Sequence, residues 1–157
     1  MNEEILKIKQ KINQSKLLIF DFDGVIADSV EVKTEAFASL YESYGLDVVN
    51  KVINHHNSNG GMSRFEKFKY YHKNFLNQEI SQELIGQLSM KFSSLVFNKV
   101  VSSDEINSVG KFLNKYSKKE KICVINSATP QLEIEKIIIA RKLDQFFSSV
   151  FGSPNSK

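Results

Sequence analysis

The sequence predicts an α/β fold in which a parallel sheet is interrupted, after its first strand, by a long helical insertion. Three observations carry this reading. Leu17–Phe20 and Ile122–Ile125 are short, fully apolar runs, the kind that form strands buried on both faces of a parallel sheet. The stretch between them repeats its apolar residues at helical spacing. The second run leads through a helix start at Thr129-Pro130 to a further apolar pair, Val150-Phe151, which is the strand–helix–strand order of a parallel crossover.

Leu17-Leu18-Ile19-Phe20 is bounded by Lys16 and Asp21. Asp28 then precedes Val32, Ala36, Leu40 and Tyr44, with Glu31 placed as the acid of a capping box, and Gly45 supplies a left-handed stop. A second helix is predicted from Arg64 to Leu76, with Phe65, Phe68, His72 and Phe75 on one face. A third runs from Ser81 to about Val100 on Leu84, Leu88, Phe92 and Leu95, and a fourth spans Asp104 to Tyr116 on Ile106, Val109, Phe112 and Leu113. Ile122–Ile125 ends at Asn126 and Ser127; Thr129 caps a helix opened by Pro130 and running from Gln131 to Arg141. The last strand, Val150-Phe151, ends at Gly152. In such sheets ligands bind beyond the carboxyl ends of the strands, which singles out DFDGV, NSATP and GSPNSK.

At 157 residues, 41% hydrophobic and 25% charged, the composition is that of an ordinary globular protein with one domain, or one small core carrying an insertion. The single cysteine, Cys123, excludes an internal disulfide scaffold and a CxxC zinc site, and reads as a buried hydrophobe within its strand. No apolar run nears the roughly 20 residues of a membrane span, and MNEEILKIKQKINQ lacks the apolar stretch of a signal peptide. The expected location is therefore the reducing cytoplasm, with no membrane partner. A net charge of +3 does not point to nucleic acid, and the lysines near the N-terminus and around Lys115 to Lys121 read as solvated helix faces and loop ends. RFEKFKYYHKNF combines basic and aromatic residues, but its helical spacing sends most rings into a core, so no nucleic-acid partner is expected. Composition carries no signal for an oligomeric state.

Asp21 and Asp23 are two residues apart at a strand end, so they face the same way if extended geometry continues through Phe22. Such like charges need a cation or a shared proton, and Gly24 permits a tight turn and close backbone approach to a ligand. The spacing alone fits either an acidic turn that caps a helix or binds water, or a carboxylate nucleophile with a neighbouring acid and a hard divalent cation. Ser127, Thr129 and the backbone N–H groups around Ala128 fit an anion cradle, or, for Thr129, a helix cap alone. Lys157 lies after the third strand, as either a phosphate-neutralising ammonium or a solvated lysine. His55, His56 and His72 lack companion metal ligands in the sequence, and there is no GxxxxGK or GxGxxG loop.

Together these segments resemble the haloacid dehalogenase superfamily of phosphotransferases. LLIFDFDGVIADS, Leu17 to Ser29, is similar to its first motif, Ser127 in VINSATP to the second, and Lys157 in GSPNSK to the third. GMSRFE, Gly61 to Glu66, resembles the substrate-specificity loop of β-phosphoglucomutase-like members. The resemblance implies a Rossmann-like core of residues 1–27 and 103–157, with a helical cap of residues 28–102 inserted. It implies that Asp21 is the nucleophile forming an aspartyl-phosphate and Asp23 the general acid/base. The Asp21 side chain and the Asp23 main-chain carbonyl would hold Mg²⁺. Ser127 and Lys157 would hold the phosphoryl group, and Arg64 would reach the distal part of a small phosphorylated metabolite. The family's fourth motif is an acidic pair, whereas no acidic residue follows Asp144, so the core is expected to be incomplete at its C-terminal side. Lys33 stands where the mutases carry a histidine, and Asp23 disfavours dehalogenation. The expected function is a Mg²⁺-dependent phosphomonoester hydrolase. The alternatives are a truncated, inactive member that binds phosphorylated ligands and, behind it, a sugar-phosphate mutase.

Overall fold

The computed structural model describes residues 3–117 and 121–154. Strands β1 (Leu17–Phe20), β2 (Ile122–Pro130) and β3 (Ser149–Ser153) form a parallel sheet in the order β1-β2-β3. β1 pairs with β2 from Leu17↔Ile122 to Phe20↔Ile125, and β2 pairs with β3 from Val124↔Ser149 to Asn126↔Phe151, with an irregularity before Pro130↔Ser153. The expected α/β class and its parallel pairing are both present. The expectation that β1 is buried on both faces is corrected: Leu18 and Phe20 turn inward, while Ile19 is 63% exposed and Leu17 and its partner Ile122 are 47% and 54% exposed. Phe20 meets Phe112 and Phe147 edge-on at 6.0 and 5.7 Å, so only this face of the strand is packed.

α1 (Glu3–Gln14) precedes the sheet and buries no side chain, in keeping with its lysine-rich sequence. Between β1 and β2 come α2 (Val30–Tyr41), α3 (Leu46–Ser58), α4 (Arg64–Phe75), α5 (Gln82–Ser102) and α6 (Val109–Tyr116); α7 (Gln131–Ala140) joins β2 to β3. Phe37, Tyr41, Phe68, Tyr71 and Phe92 bury their rings between the inserted helices, continuous with Phe22, Ile26, Ile125, Ile134 and Ile137 of the sheet layer. Ring centroids of 4.5 Å for Phe37–Phe92 and 5.4 Å for Tyr41–Tyr71 show close aromatic packing. The aromatic helix α4 thus places Phe68, Tyr71 and His72 in the core. Arg141, just past α7, reaches the carbonyl oxygens of Val100, Val101 and Ser103 at 2.8 to 2.9 Å, so its cation satisfies the free carbonyl end of α5.

Several element starts differ from the sequence expectation for identifiable reasons. α2 begins after Ser29, not Asp28, and has no side-chain cap; the Asp28 N–H instead donates to the Asp104 carbonyl. The capping box lies at α4, where Ser63 Oγ accepts from the Glu66 N–H and Glu66 reaches back to the Ser63 N–H. α3 carried no sequence signal, since its valines and isoleucine are weak helix formers and only Val52 and His56 are buried. α5 buries Ile85, Phe92, Val96 and Val100, a face turned from the expected one, and leaves Leu95 exposed. α6 starts at Val109 instead of Asp104, because residues 104–106 spend their backbone pairing with Ile26, Ala27 and Asp28. β2 continues to Pro130, so Thr129 is extended strand and not a helix cap.

Gly152 lies against the start of α7. A Cβ there would meet Gln131 Cα and the Thr129 carbonyl oxygen at 2.7 Å, and its N–H donates to Gln131 Oε1 at 2.6 Å. Backbone atoms cannot yield as a side chain can, so Gly152→Ala is expected to destabilise the fold by about 1–3 kcal/mol, read as a lower urea midpoint at unchanged slope.

Candidate active site

The acidic turn is shaped by Phe22. Its side chain is fully buried, and its carbonyl accepts from the N–H groups of Ile26 and Ala27 at 2.8 and 3.1 Å. Gly24 closes the turn with φ +72°, its N–H donating to the Ala27 carbonyl at 2.8 Å. With Phe22 turned into the core, Asp21 and Asp23 both line one cavity of about 190 Å³. Asp21 Oδ1 accepts from the Phe22 N–H at 2.8 Å.

Asp23 is the hub of a polar network. Lys33 Nζ from α2 lies 2.5 Å from Asp23 Oδ2 and 2.8 Å from Thr129 Oγ1 of β2. Ser29 Oγ donates to Asp23 Oδ1 at 2.7 Å. Burial alone would raise the Asp23 pKa, but the charge and hydrogen bond of Lys33, with help from Ser29 and the more distant Arg64, outweigh it and hold the carboxyl below its ordinary value.

The helical insertion supplies the rest of the cavity wall. Lys67 of α4 is 1% exposed, and its Nζ lies 2.8 Å from His56 Nδ1 of α3. Burial, with the nearby Lys67 and Lys33 cations, depresses the His56 pKa to about 3. The ring is therefore neutral, and its Nδ1 accepts a hydrogen bond from the Lys67 ammonium. Burial and Lys33 lower Lys67 itself to about 8, against the opposing pull of Asp23. Arg64 also lines the cavity, but its guanidinium is paired in two places with Glu133 of α7, at 2.6 and 3.0 Å, and stacks over Phe92 at 4.4 Å. Ser93 bonds the same carboxylate.

Of the residues singled out in the sequence, the fold brings Asp21, Asp23, Arg64, Ala128 and Thr129 to this cavity. Gly24 does not line it but shapes the turn; Ser127 is buried behind it, its Oγ accepting from the Thr129 N–H at 3.2 Å. Lys157 lies outside the described residues. Sequence reasoning assigned no role to Lys33, His56, Lys67 or Glu133. Two had a signal: Lys33 stands where the resembling mutases carry a histidine, and Lys67 follows Arg64 by one helical turn and so shares its face. Among the described residues no group of three or more His, Cys, Asp or Glu side chains could hold a metal.

Arg64 and Glu133 have side chains only 4% and 9% exposed, so removing one partner strands the other. Arg64→Met is expected to cost about 3–5 kcal/mol in unfolding free energy, and Arg64→Met with Glu133→Gln to recover most of it. His56 gives a pH signature. Between its ordinary value of 6.5 and about 3 the unfolded chain binds a proton that the folded chain refuses. Stability should therefore fall as pH drops through this window, by up to about 1.4 kcal/mol per unit, and His56→Gln should flatten that slope in denaturation measured across it.

The family model for haloacid dehalogenase-like hydrolases matches residues 18–157. A comparison with curated proteins finds no match. Among solved structures, a candidate β-phosphoglucomutase from Bacteroides vulgatus matches 99% of this chain and 63% of its own, with 15% identity and a TM-score of 0.72. A candidate haloacid dehalogenase-like hydrolase from Bacteroides fragilis matches 92% of this chain and 66% of its own, at 17% identity and a TM-score of 0.66. The candidate HAD hydrolase YfnB from Bacillus subtilis, a magnesium-bound structure, matches 88% and 65%, at 18% identity and a TM-score of 0.59. At these identities the likeness is one of fold, and the chain spans 60% to 66% of the length of the solved proteins it matches. With the family model covering nearly all of the sequence, and the acidic turn standing at the end of the first strand of a parallel sheet, the chain belongs to the haloacid dehalogenase-like hydrolases.

Proposed function

We propose that the protein is a Mg²⁺-dependent phosphomonoester hydrolase acting on a small phosphorylated metabolite in the cytoplasm, through an aspartyl-phosphate on Asp21. The observation that carries this reading is the convergence of Asp21, Asp23, Ala128 and Thr129 on one cavity, walled on its other side by the helices proposed as a cap over residues 28–102. No helix among the described residues is long and apolar enough to cross a membrane.

The Asp21 carboxylate attacks phosphorus, the bond to the alcohol oxygen breaks, and Asp23 delivers a proton to that oxygen. Lys33 keeps Asp23 ionised before substrate arrives. A phosphate dianion entering beside it opposes that charge, raising its pKa so that it takes up the proton it later gives. In the second half Asp23, again a carboxylate, accepts a proton from water as that water attacks phosphorus and the bond to Asp21 breaks. Gly24 lets the turn approach the phosphoryl group. The Ala128 backbone, which lines the cavity, holds its oxygens, and the family resemblance gives Ser127 and Lys157 the same task. The Asp21 carboxylate and Asp23 main-chain carbonyl are hard oxygen donors and fit Mg²⁺, which takes few protein ligands and fills its octahedron with water and phosphate oxygens. When bound it screens the charge of Asp21 against that of the phosphate. Arg64 stays at the wall, its guanidinium committed to Glu133.

Phosphate release from a panel of small monoesters tests the reading. Asp21→Asn should fall to background, Asp23→Asn should lose about 10²–10⁴ in kcat, and chelation should abolish turnover until Mg²⁺ is restored. A second reading, a member that binds phosphorylated ligands without turnover, is favoured by the small donor set among the described residues. Ligand binding with no phosphate release at saturating Mg²⁺ would select it.

A further inference from the structure

Of the three lysine and arginine cations that line the cavity, two are held in salt bridges and Lys67 is not. Lys33 is matched by Asp23 and Arg64 by Glu133, both within salt-bridge distance. Lys67 makes no ion pair among the described residues; its nearest polar partner is the neutral His56 ring at 2.8 Å, and the face of Phe37 lies 5.4 Å from its ammonium. It is 1% exposed and lines the same cavity as Asp21 and Asp23. A cation buried without an acid costs the fold stability, and an apolar side chain would fill the space between α3 and α4 without that cost. An anion from outside the chain would offset that cost. Room for one exists beside it, where Gly60 and Gly61 line the cavity and a Cβ on either would meet nothing within 4 Å.

We propose that Lys67, oriented by His56, recognises a second anionic group on the substrate, so that the site selects phosphate monoesters that also carry a carboxylate or a second phosphate. This rests on the reading of the cavity as a phosphomonoester site. The phosphoryl end lies at the acidic turn and the start of α7, and the remainder of the ligand then faces the inserted helices. There Arg64 is engaged by Glu133, and Lys67 is the cation held in no salt bridge among the described residues. His56 matters because its Nδ1 accepts one of the three ammonium N–H bonds and leaves the other two to donate to the ligand.

The test is calorimetric binding to the full chain in an Asp21→Asn background, which blocks turnover, with Mg²⁺ present. Three probes share a three-carbon frame: glycerol 3-phosphate, 3-phosphoglycerate and glycerol 1,3-bisphosphate. At least one of the two doubly anionic probes should bind about tenfold or more tighter than glycerol 3-phosphate, and which of them gains tells carboxylate from phosphate. Lys67→Met and Lys67→Gln, each checked for cooperative unfolding, should collapse that ratio to within about twofold of one. Equal affinity for all three probes, binding of none, or discrimination that survives both substitutions overturns the proposal. Turnover by the wild-type chain is read separately. Discrimination without turnover removes the hydrolase reading and keeps the Lys67 assignment, whereas turnover without discrimination does the reverse.

Discussion

Two carboxylates two residues apart at a strand end repel each other, and the ammonium of Lys33 sets how this protein accommodates them. By pairing with Asp23 and donating to Thr129, Lys33 ties the acidic turn after β1, the first inserted helix and the end of β2 into one polar cluster. The pair is partly buried, where the attraction is screened less than at an open surface. It explains two local oddities at once. Ser29 and Thr129 stand at or just before helix starts, where hydroxyl side chains ordinarily cap, yet neither caps. Both hydroxyls are drawn into the cluster around Asp23, and α2 and α7 begin without side-chain caps.

A second layer of constraint holds the inserted helices against the sheet layer. Arg64 of α4 grips Glu133 of α7 through two bonds, and Arg141 after α7 holds the carbonyl end of α5. Arginine suits both places because its planar fork makes parallel bonds with a carboxylate and fans out over several carbonyls. These contacts sit on the edge of a continuous apolar core in which Phe37 touches Phe68, Tyr71 and Phe92. The walls of the cavity are therefore built from rigid elements, which lets a few polar groups keep their positions inside it.

Much of the fold was legible because it rests on local pattern. The apolar runs at Leu17–Phe20 and Ile122–Ile125 became paired parallel strands, and Arg64 and Gln131 each open a helix where periodicity placed one. The errors fall where a neighbour outweighs local preference. α6 loses its first residues because 104–106 pair with the acidic turn, and α5 rotates its buried face because Val96 and Val100, not Leu95, meet the core. α3 was invisible because two buried residues and several β-branched ones make no helical signature.

The site divides along the same line. Asp21 and Asp23 share one turn, so their common direction follows from spacing and from the burial of Phe22 between them, although spacing alone left an acidic cap and a nucleophile equally open. Partner identity was not local. Lys33 is bonded to Thr129 across 96 residues and Arg64 to Glu133 across 69, and no pattern in a window of sequence encodes such a match. The long-range pairing gave Arg64 to Glu133 and left Lys67, beside His56, as the buried cation facing the cavity. Spacing could name the residues able to carry charge here; which charges cancel and which remain to meet a ligand was settled by how the helices pack.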